Sequence, residues 1–396
     1  MSIKVLVVED SDIIADVITQ ALESDSKIKV IGRANNGLLA LEKLKTLSPD
    51  LITMDVWMPV MDGFETVERI MASKPTPILV ITSSSLKENV QLSMRMLSAG
   101  ALDIMEKPSV RDEGTWAKHQ KELVSKVKML SNVRVITHLR GKSLQALETR
   151  PPTPPAEKST PQNPFPVKKY EPLPVVKPSK PEGLPPLGGF KRGKFPANSH
   201  FLAVAIASST GGPSALQKIF QGLPTNFPAS ILVVQHISDG FTQGLVDWLQ
   251  RESPLKIKIA KDGDIPQPGV VYFAPDRRDL LIDPTYRFIT KPGNQTICPS
   301  GDATLRSVAQ IYKNRAIGIV LTGMGNDGAS GLKELSLTGG YTIIQDEATS
   351  LIYGMPKAAL DLSRPNEVLA IQFMASRLIQ LLQETPESWQ LKLREV

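Results

Sequence analysis

The sequence predicts an α/β protein with two sheet-based units: an N-terminal (βα)5 unit with a parallel sheet and a C-terminal doubly wound α/β unit, joined by a proline-rich segment. Three observations predict it. Short β-branched runs alternate with amphipathic stretches over residues 1–130, and the same rhythm returns from 199 to about 385. Between them, residues 150–198 carry 14 of the 32 prolines. Alternating strand and helix patterns point to parallel sheets covered on both faces. Proline at such density removes ladder donors and favours extended chain.

In the first unit, Ile3–Val8, Ile28–Gly32, Leu51–Met54, Ile78–Ile81 and Leu102–Met105 read as strands. Helices are expected near 12–23, 36–46, 64–71, 88–98 and 118–130. Residues 131–198 are expected to form a basic linker. Between Arg150 and Asn198 nine Lys or Arg stand against three Glu, a net charge of +6 that equals that of the whole chain. The basic excess therefore sits in extended sequence rather than on a folded nucleic-acid surface. In the second unit, 199–396, the buried strands are Phe201–Ile206, Ile231–Val234, Ile317–Leu321 and Tyr341–Ile344, with helices near 214–220, 241–250, 328–337 and 366–383.

Composition narrows the setting. No apolar run reaches 18 residues, which argues against membrane insertion. The opening MSIKVLVVED has a short apolar run ending in two acids, unlike a secretory signal. The one cysteine, Cys298, excludes an internal disulfide and fits a reducing, cytoplasmic location. Four histidines and one cysteine do not cluster in a zinc-site spacing.

The first strand delivers Glu9 and Asp10 to the carboxyl edge of its sheet, and the third delivers Asp55. Carboxylates that close repel unless a cation lies among them. An all-oxygen set suits Mg²⁺, which also binds phosphate. The fourth strand ends in the Thr82 hydroxyl and the fifth leads to Lys107, placed to pair with a phosphoryl oxygen. Asp55 then reads as a nucleophile toward a phosphoryl donor. One acid at a strand end is usually just solvated; matching chemistry at four strand ends is harder to dismiss.

These segments, VLVVEDS, DLITMDVWMPVMDGFE, ILVITSSS and AGALDIMEKP, resemble the receiver domain of two-component response regulators. The resemblance implies phosphorylation of Asp55 by a histidine kinase, Mg²⁺ held by Glu9, Asp10 and Asp55, Thr82 as switch hydroxyl and Lys107 as the family's lysine. Trp57 stands where an acid is often found, and Ile104 where many receivers carry an aromatic residue.

In the second unit, the first strand runs into Ser208-Ser209-Thr210-Gly211-Gly212-Pro213. Hydroxyls on a glycine turn before a helix expose a nucleophile among backbone N–H groups. Alone, the turn could instead be a phosphate-binding loop; it lacks the Gly-Lys-Ser/Thr of a Walker loop. The next strand ends at Gln235-His236, the one histidine placed as a base. A later strand runs into Thr322-Gly323-Met324-Gly325-Asn326-Asp327, whose acid can orient His236. Ser209, His236 and Asp327 together point to acyl transfer, with no cofactor needed at this site.

AIASSTGGPSAL, VVQHISDGFTQGLVDWL and IVLTGMGNDGASGL resemble the catalytic domain of the chemotaxis receptor methylesterases. The resemblance implies a triad of Ser209, His236 and Asp327, an oxyanion-stabilising amide at Met324 and a site-shaping Thr210. It implies hydrolysis of glutamyl methyl esters, and deamidation of glutamines, on chemotaxis receptors, with the receiver covering the active-site face until phosphorylated. Ser208 stands beside the nucleophile where the family often has alanine, and Cys298 where it has arginine. A DNA-binding regulator would need a basic helix-turn-helix after the receiver, and none is seen. A binding-only scaffold would not need the complete triad.

Overall fold

The computed structural model describes residues 2–83, 87–107, 113–133, 135, 202–293 and 297–383. Most of the expected linker, 131–198, lies outside the described residues.

The N-terminal domain has the expected five strands: β1 (Ile3–Val8), β2 (Ile28–Ala34), β3 (Leu51–Met54), β4 (Ile78–Thr82) and β5 (Asp103–Glu106). They form a parallel sheet in the order β2-β1-β3-β4-β5. Period-two burial explains why both faces need cover: Val5 and Val7 pack into one apolar cluster, Leu6 and Val8 into another. The covering helices are α1 (Asp12–Glu23), α2 (Gly37–Thr46), α3 (Gly63–Ser73), α4 (Lys87–Ala99) and α5 (Glu113–Leu130). Local chemistry sets several starts. Ser11, Asn36 and Asp62 each accept a backbone N–H of the first turn of α1, α2 and α3. The last helix begins at Glu113, earlier than the apolar periodicity near 118 suggests.

The C-terminal domain is built on a seven-stranded sheet. Its strands are β6 (Ala203–Ser208), β7 (Ser230–Gln235), β8 (Lys256–Ile259), β9 (Val270–Phe273), β12 (Ala316–Val320), β13 (Tyr341–Gln345) and β14 (Glu367–Leu369). Their order is β14-β13-β12-β6-β7-β9-β8, and every pairing is parallel. A separate antiparallel pair, β10 (Arg278–Ile282) and β11 (Phe288–Pro292), stands beside it. Along β6 the side chains again alternate between clusters: Val204 and Ile206 on one face, Ala203, Ala205 and Ala207 on the other. The helices are α6 (Gly212–Gly222), α7 (Thr242–Glu252), α8 (Gly301–Tyr312), α9 (Ala329–Leu337), α10 (Met355–Ser363) and α11 (Ile371–Gln383). Among the described residues no helix is long and apolar enough to cross a membrane.

One expected helix is divided. Residues 366–383 begin with strand β14, and α11 starts only at Ile371. Glu367–Leu369 pair with Ile343–Gln345 and so extend the sheet at β13, while Glu367 takes hydrogen bonds from Arg377 and Tyr341. The two domains pack against each other. One continuous apolar cluster runs from Leu6 and Ile104 to Phe241 and Trp248. At the contact of α4 with α7, a Cβ on Gly244 would lie 2.0 Å from Val90 Cγ1, so only glycine admits Val90. Trp248 Nε1 donates to Ser98 Oγ across the same contact (3.1 Å).

Candidate active site

Both sites lie at carboxyl ends of adjacent parallel strands, where a sheet that grows outward in two directions leaves a crevice. In the N-terminal domain, β1 and β3 are neighbours in register Val8↔Met54, so the residues that follow, Glu9 and Asp55, meet. Glu9, Asp10 and Asp55 bring carboxylate oxygens within 4.8 Å of one another. Lys107 Nζ donates to Glu9 Oε1 (2.8 Å) and Asp55 Oδ2 (2.9 Å). Its backbone N–H is fixed on the carbonyl of the buried Thr82 (2.8 Å). A Cβ on Gly63 would lie 2.0 Å from the Asp55 carbonyl oxygen, so glycine lets α3 begin directly on the Asp55 peptide.

The electrostatics favour an added cation. Burial, and then the Asp55 charge, push the Glu9 carboxyl up to about 7, and burial raises Asp55 as well. Burial alone would lower Lys107, but the two carboxylates outweigh it and its ammonium is held charged. Glu9 Oε2 is buried without a hydrogen-bond partner. A buried, unpartnered oxygen among three acids is the donor set a hard divalent cation fits.

In the C-terminal domain, three adjacent central strands each end in one of the expected side chains. β6 leads to Ser209, β7 to His236, and β12 into the loop that carries Asp327. His236 Nε2 and Asp327 Oδ2 are 2.8 Å apart. With Asp327 accepting from Nε2, the neutral ring keeps its lone pair on Nδ1. Ser209 is half-buried and its N–H is fixed on the Thr322 carbonyl (3.0 Å). Gly211 has φ +81° and no room for a side chain, since a Cβ would lie 2.6 Å from Leu351 Cβ. Gly323 runs past the serine; a Cβ there would be 2.7 Å from Ser209 Cβ. The Met324 loop therefore borders Ser209. Ser208 is fully buried, with its hydroxyl turned into β7, so Ser209 is the serine that reaches the crevice.

Asp327 is prepared for its place by residues to which sequence reasoning gave no part in holding the acid. Ser300 Oγ (3.1 Å) and Asp302 N (2.9 Å) donate to Oδ1, and Gly301 N (2.6 Å) donates to Oδ2. These are the cap and first turn of α8, where free N–H groups and the helix dipole favour an anion. Burial would raise the Asp327 carboxyl, but the bonds from His236, Asp302 and Gly301 hold it below its ordinary range. The signal that could have found them is the Ser-Gly-Asp cap signature at 300–302.

The receiver side also reaches this crevice. Asp103 of β5 accepts from the Thr210 hydroxyl (2.9 Å), Glu106 N–H donates to Ser238 Oγ (3.3 Å), and Ser125 Oγ lies 3.6 Å from Met324 Sδ. Each of the three loops bearing the serine, histidine and aspartate thus has a partner on β5 or α5. Sequence reasoning missed Asp103, Ser125 and Ser238 in this role.

A phosphate-acceptor pocket on one parallel sheet, packed over an α/β domain that gathers serine, histidine and aspartate, defines a response regulator with a hydrolase as its output. The comparisons agree. The family described as "CheB methylesterase" matches residues 204–378, and "Response regulator receiver domain" matches residues 5–117. A protein-glutamate methylesterase/protein-glutamine glutaminase of Syntrophus aciditrophicus is 36% identical over 96% of this chain and 98% of its own. One from Anaeromyxobacter dehalogenans is 37% identical over 95% of this chain and 98% of its own. The crystal structure of the Thermotoga maritima CheB methylesterase catalytic domain is 38% identical over 46% of this chain and 98% of that chain, with a TM-score of 0.44. The chain belongs to the CheB methylesterase family.

Proposed function

We propose that this chain hydrolyses glutamyl methyl esters, and deamidates glutamines, on chemotaxis receptors in the cytoplasm, under control of phosphorylation at Asp55 by a histidine kinase. The proposed domain bounds are 1–130 for the receiver, 131–198 for the linker and 199–396 for the hydrolase. The observation that carries the reading is the His236–Asp327 bond of 2.8 Å at a crevice shared with Ser209.

Ser209 Oγ attacks the ester carbonyl carbon while His236 Nδ1 takes its proton. The charge on the carbonyl oxygen is met by backbone N–H groups of the glycine-rich loop at Met324. His236 returns the proton to the methoxy oxygen as the C–O bond breaks, and methanol leaves. Water then attacks the acyl-enzyme, with His236 again moving the proton, and releases a glutamate carboxylate and free Ser209. A glutamine side chain follows the same course, with ammonia leaving. Asp327 holds the ring and offsets the charge of the protonated imidazole. Thr210 shapes the wall beside the serine.

Glu9, Asp10 and Asp55 would hold Mg²⁺, which supplies charge neutralisation for phosphoryl transfer when bound. Asp55 is the acceptor, Lys107 pairs with a phosphoryl oxygen, and Thr82 is the switch hydroxyl. The contacts of Asp103, Glu106 and Ser125 support a receiver that shields the crevice, which phosphorylation then opens. Methylated receptor membranes incubated with the chain should release methanol, and the Ser209→Ala chain should not. Equal release by both would remove Ser209 as the nucleophile.

A further inference from the structure

We infer that Ser208 and Gln235 form a positioning pair that locks the main chain of the nucleophile to that of the base; this rests on the proposed roles of Ser209 and His236. The two residues face each other across β6 and β7 in register Ser208↔Gln235. Both are buried, Ser208 completely. Ser208 Oγ donates to Gln235 Oε1 at 2.7 Å, a better contact than the 3.4 Å to the Val234 carbonyl. Gln235 Nε2 then donates to two carbonyls, those of Ser209 and His236, each at 2.8 Å. One planar amide therefore spans the peptide of the nucleophile and the peptide of the base.

The amide can sit only one way round. Reversed, Oε1 would face two carbonyl oxygens and meet no donor from either. The Ser208 hydroxyl selects the observed orientation by offering its proton to Oε1. The Ser209 carbonyl is completed by Gly212 N–H at 2.7 Å, so both of its lone pairs are used. His236 N–H in turn donates to the Ser208 carbonyl at 2.9 Å, closing the link between the strand ends. Glycine at 212 makes room for the device, since a Cβ there would lie 2.0 Å from Gln235 Oε1. A turn that needed only to expose Ser209 would be served by a small apolar residue at 208. A buried hydroxyl and a buried amide with every strong donor used are instead a means of fixing geometry.

The pair touches enzyme main chain and not substrate, so its loss should lower kcat and leave KM unchanged. Misalignment of reacting groups by a fraction of an ångström to 1 Å costs up to about 100-fold. Gln235→Met, of similar shape without the amide, should lower kcat roughly 10- to 100-fold by that measure. Ser208→Ala leaves both Gln235 carbonyl contacts and should lower kcat only about 3- to 10-fold, the worth of one hydrogen bond. Because Ser208 acts through Gln235, the double variant should match Gln235→Met alone.

The test uses the full chain with Mg²⁺ and a small acyl phosphate. Methanol release is measured over a range of methylated receptor membranes, and kcat is normalised to the serine titrated by a fluorophosphonate. The normalisation removes losses due to misfolded protein, which a purely structural role would produce. A parental kcat in Gln235→Met, or losses that multiply in the double variant, would overturn the inference. If Gln235→Met does not fold, a parental kcat in Ser208→Ala overturns it alone. Ser209→Ala run alongside separates the two levels: an active Ser209→Ala removes the nucleophile reading, whereas an inactive one beside a fully active Gln235→Met removes only the positioning pair.

Discussion

Asp103, on the edge strand of the receiver, accepts a hydrogen bond from Thr210, the immediate neighbour of Ser209, at 2.9 Å. The same carboxylate oxygen pairs with Lys126 of α5 (2.5 Å), and its other oxygen takes the Ile104 N–H (2.9 Å). The acid is thus anchored within the receiver and presented to the hydrolase. The contacts at Ser238 and Met324 lie on the same side of the hydrolase loops.

Asp103→Ala should raise the rate of the unphosphorylated chain about 10- to 150-fold, the worth of one charge-assisted hydrogen bond. The phosphorylated rate should change little. Methanol release with and without a phosphodonor measures both, and an unchanged basal rate would separate this contact from inhibition. The substitution also strands Lys126 in a half-buried position, where the neighbouring Asp103 charge now holds its ammonium charged against desolvation. Asp103→Ala/Lys126→Met should therefore melt higher than Asp103→Ala and release methanol equally fast.

His236→Gln and Asp327→Asn should keep the fold and lose most esterase activity, with the histidine change the more severe. Combined with Ser209→Ala, neither should add its full single effect, because the three act as a unit. Asp327 also carries a stability term. Its folded-state carboxyl lies below the ordinary value of 3.8, so its stabilisation is present above pH 3.8 and is lost as pH falls below it. The stability gap between parent and Asp327→Asn, followed by urea unfolding, should be largest near pH 7 and close in acid. A gap that widened below pH 3.8 would contradict this.

Much of the fold is legible because buried parallel strands announce themselves as continuous apolar runs. β1, β3, β6, β7 and β12 all read this way, and the chemistry follows one or more residues after each. β9, Val270–Phe273, is as apolar as these and is missed all the same, as is the β10–β11 pair; two further missed strands have a different character. β8 alternates lysine and isoleucine as Lys256–Ile259, and β14 is three residues at the sheet's edge. Short edge strands take their identity from a neighbour rather than from their own pattern. The site residues missed are those whose role comes from distant contacts. Asp103 and Thr210 are 107 residues apart, and Asp327 takes its N–H bonds from a helix start 25 residues before it. Periodicity places such residues on an element without saying what the element will touch.

Asp55 should take up phosphate from a small acyl phosphate in the presence of Mg²⁺. Asp55→Asn should remain unlabelled, as read by intact mass or by radiolabel. Lys107→Ala should still label, since it leaves the acceptor in place, but should show little activation of the esterase. Labelling of Asp55→Asn to the parental extent would move the phosphate to another residue.

The most direct measurement is methanol release from methylated receptor membranes by the full chain, with and without a phosphodonor, set beside Asp55→Asn. The donor should raise the parental rate about 10-fold or more, corresponding to at least about 1.4 kcal/mol of relieved inhibition. It should leave Asp55→Asn at the basal rate. A parental rate that the donor does not change, or an equal rise in Asp55→Asn, would contradict control of this hydrolase by phosphorylation of Asp55.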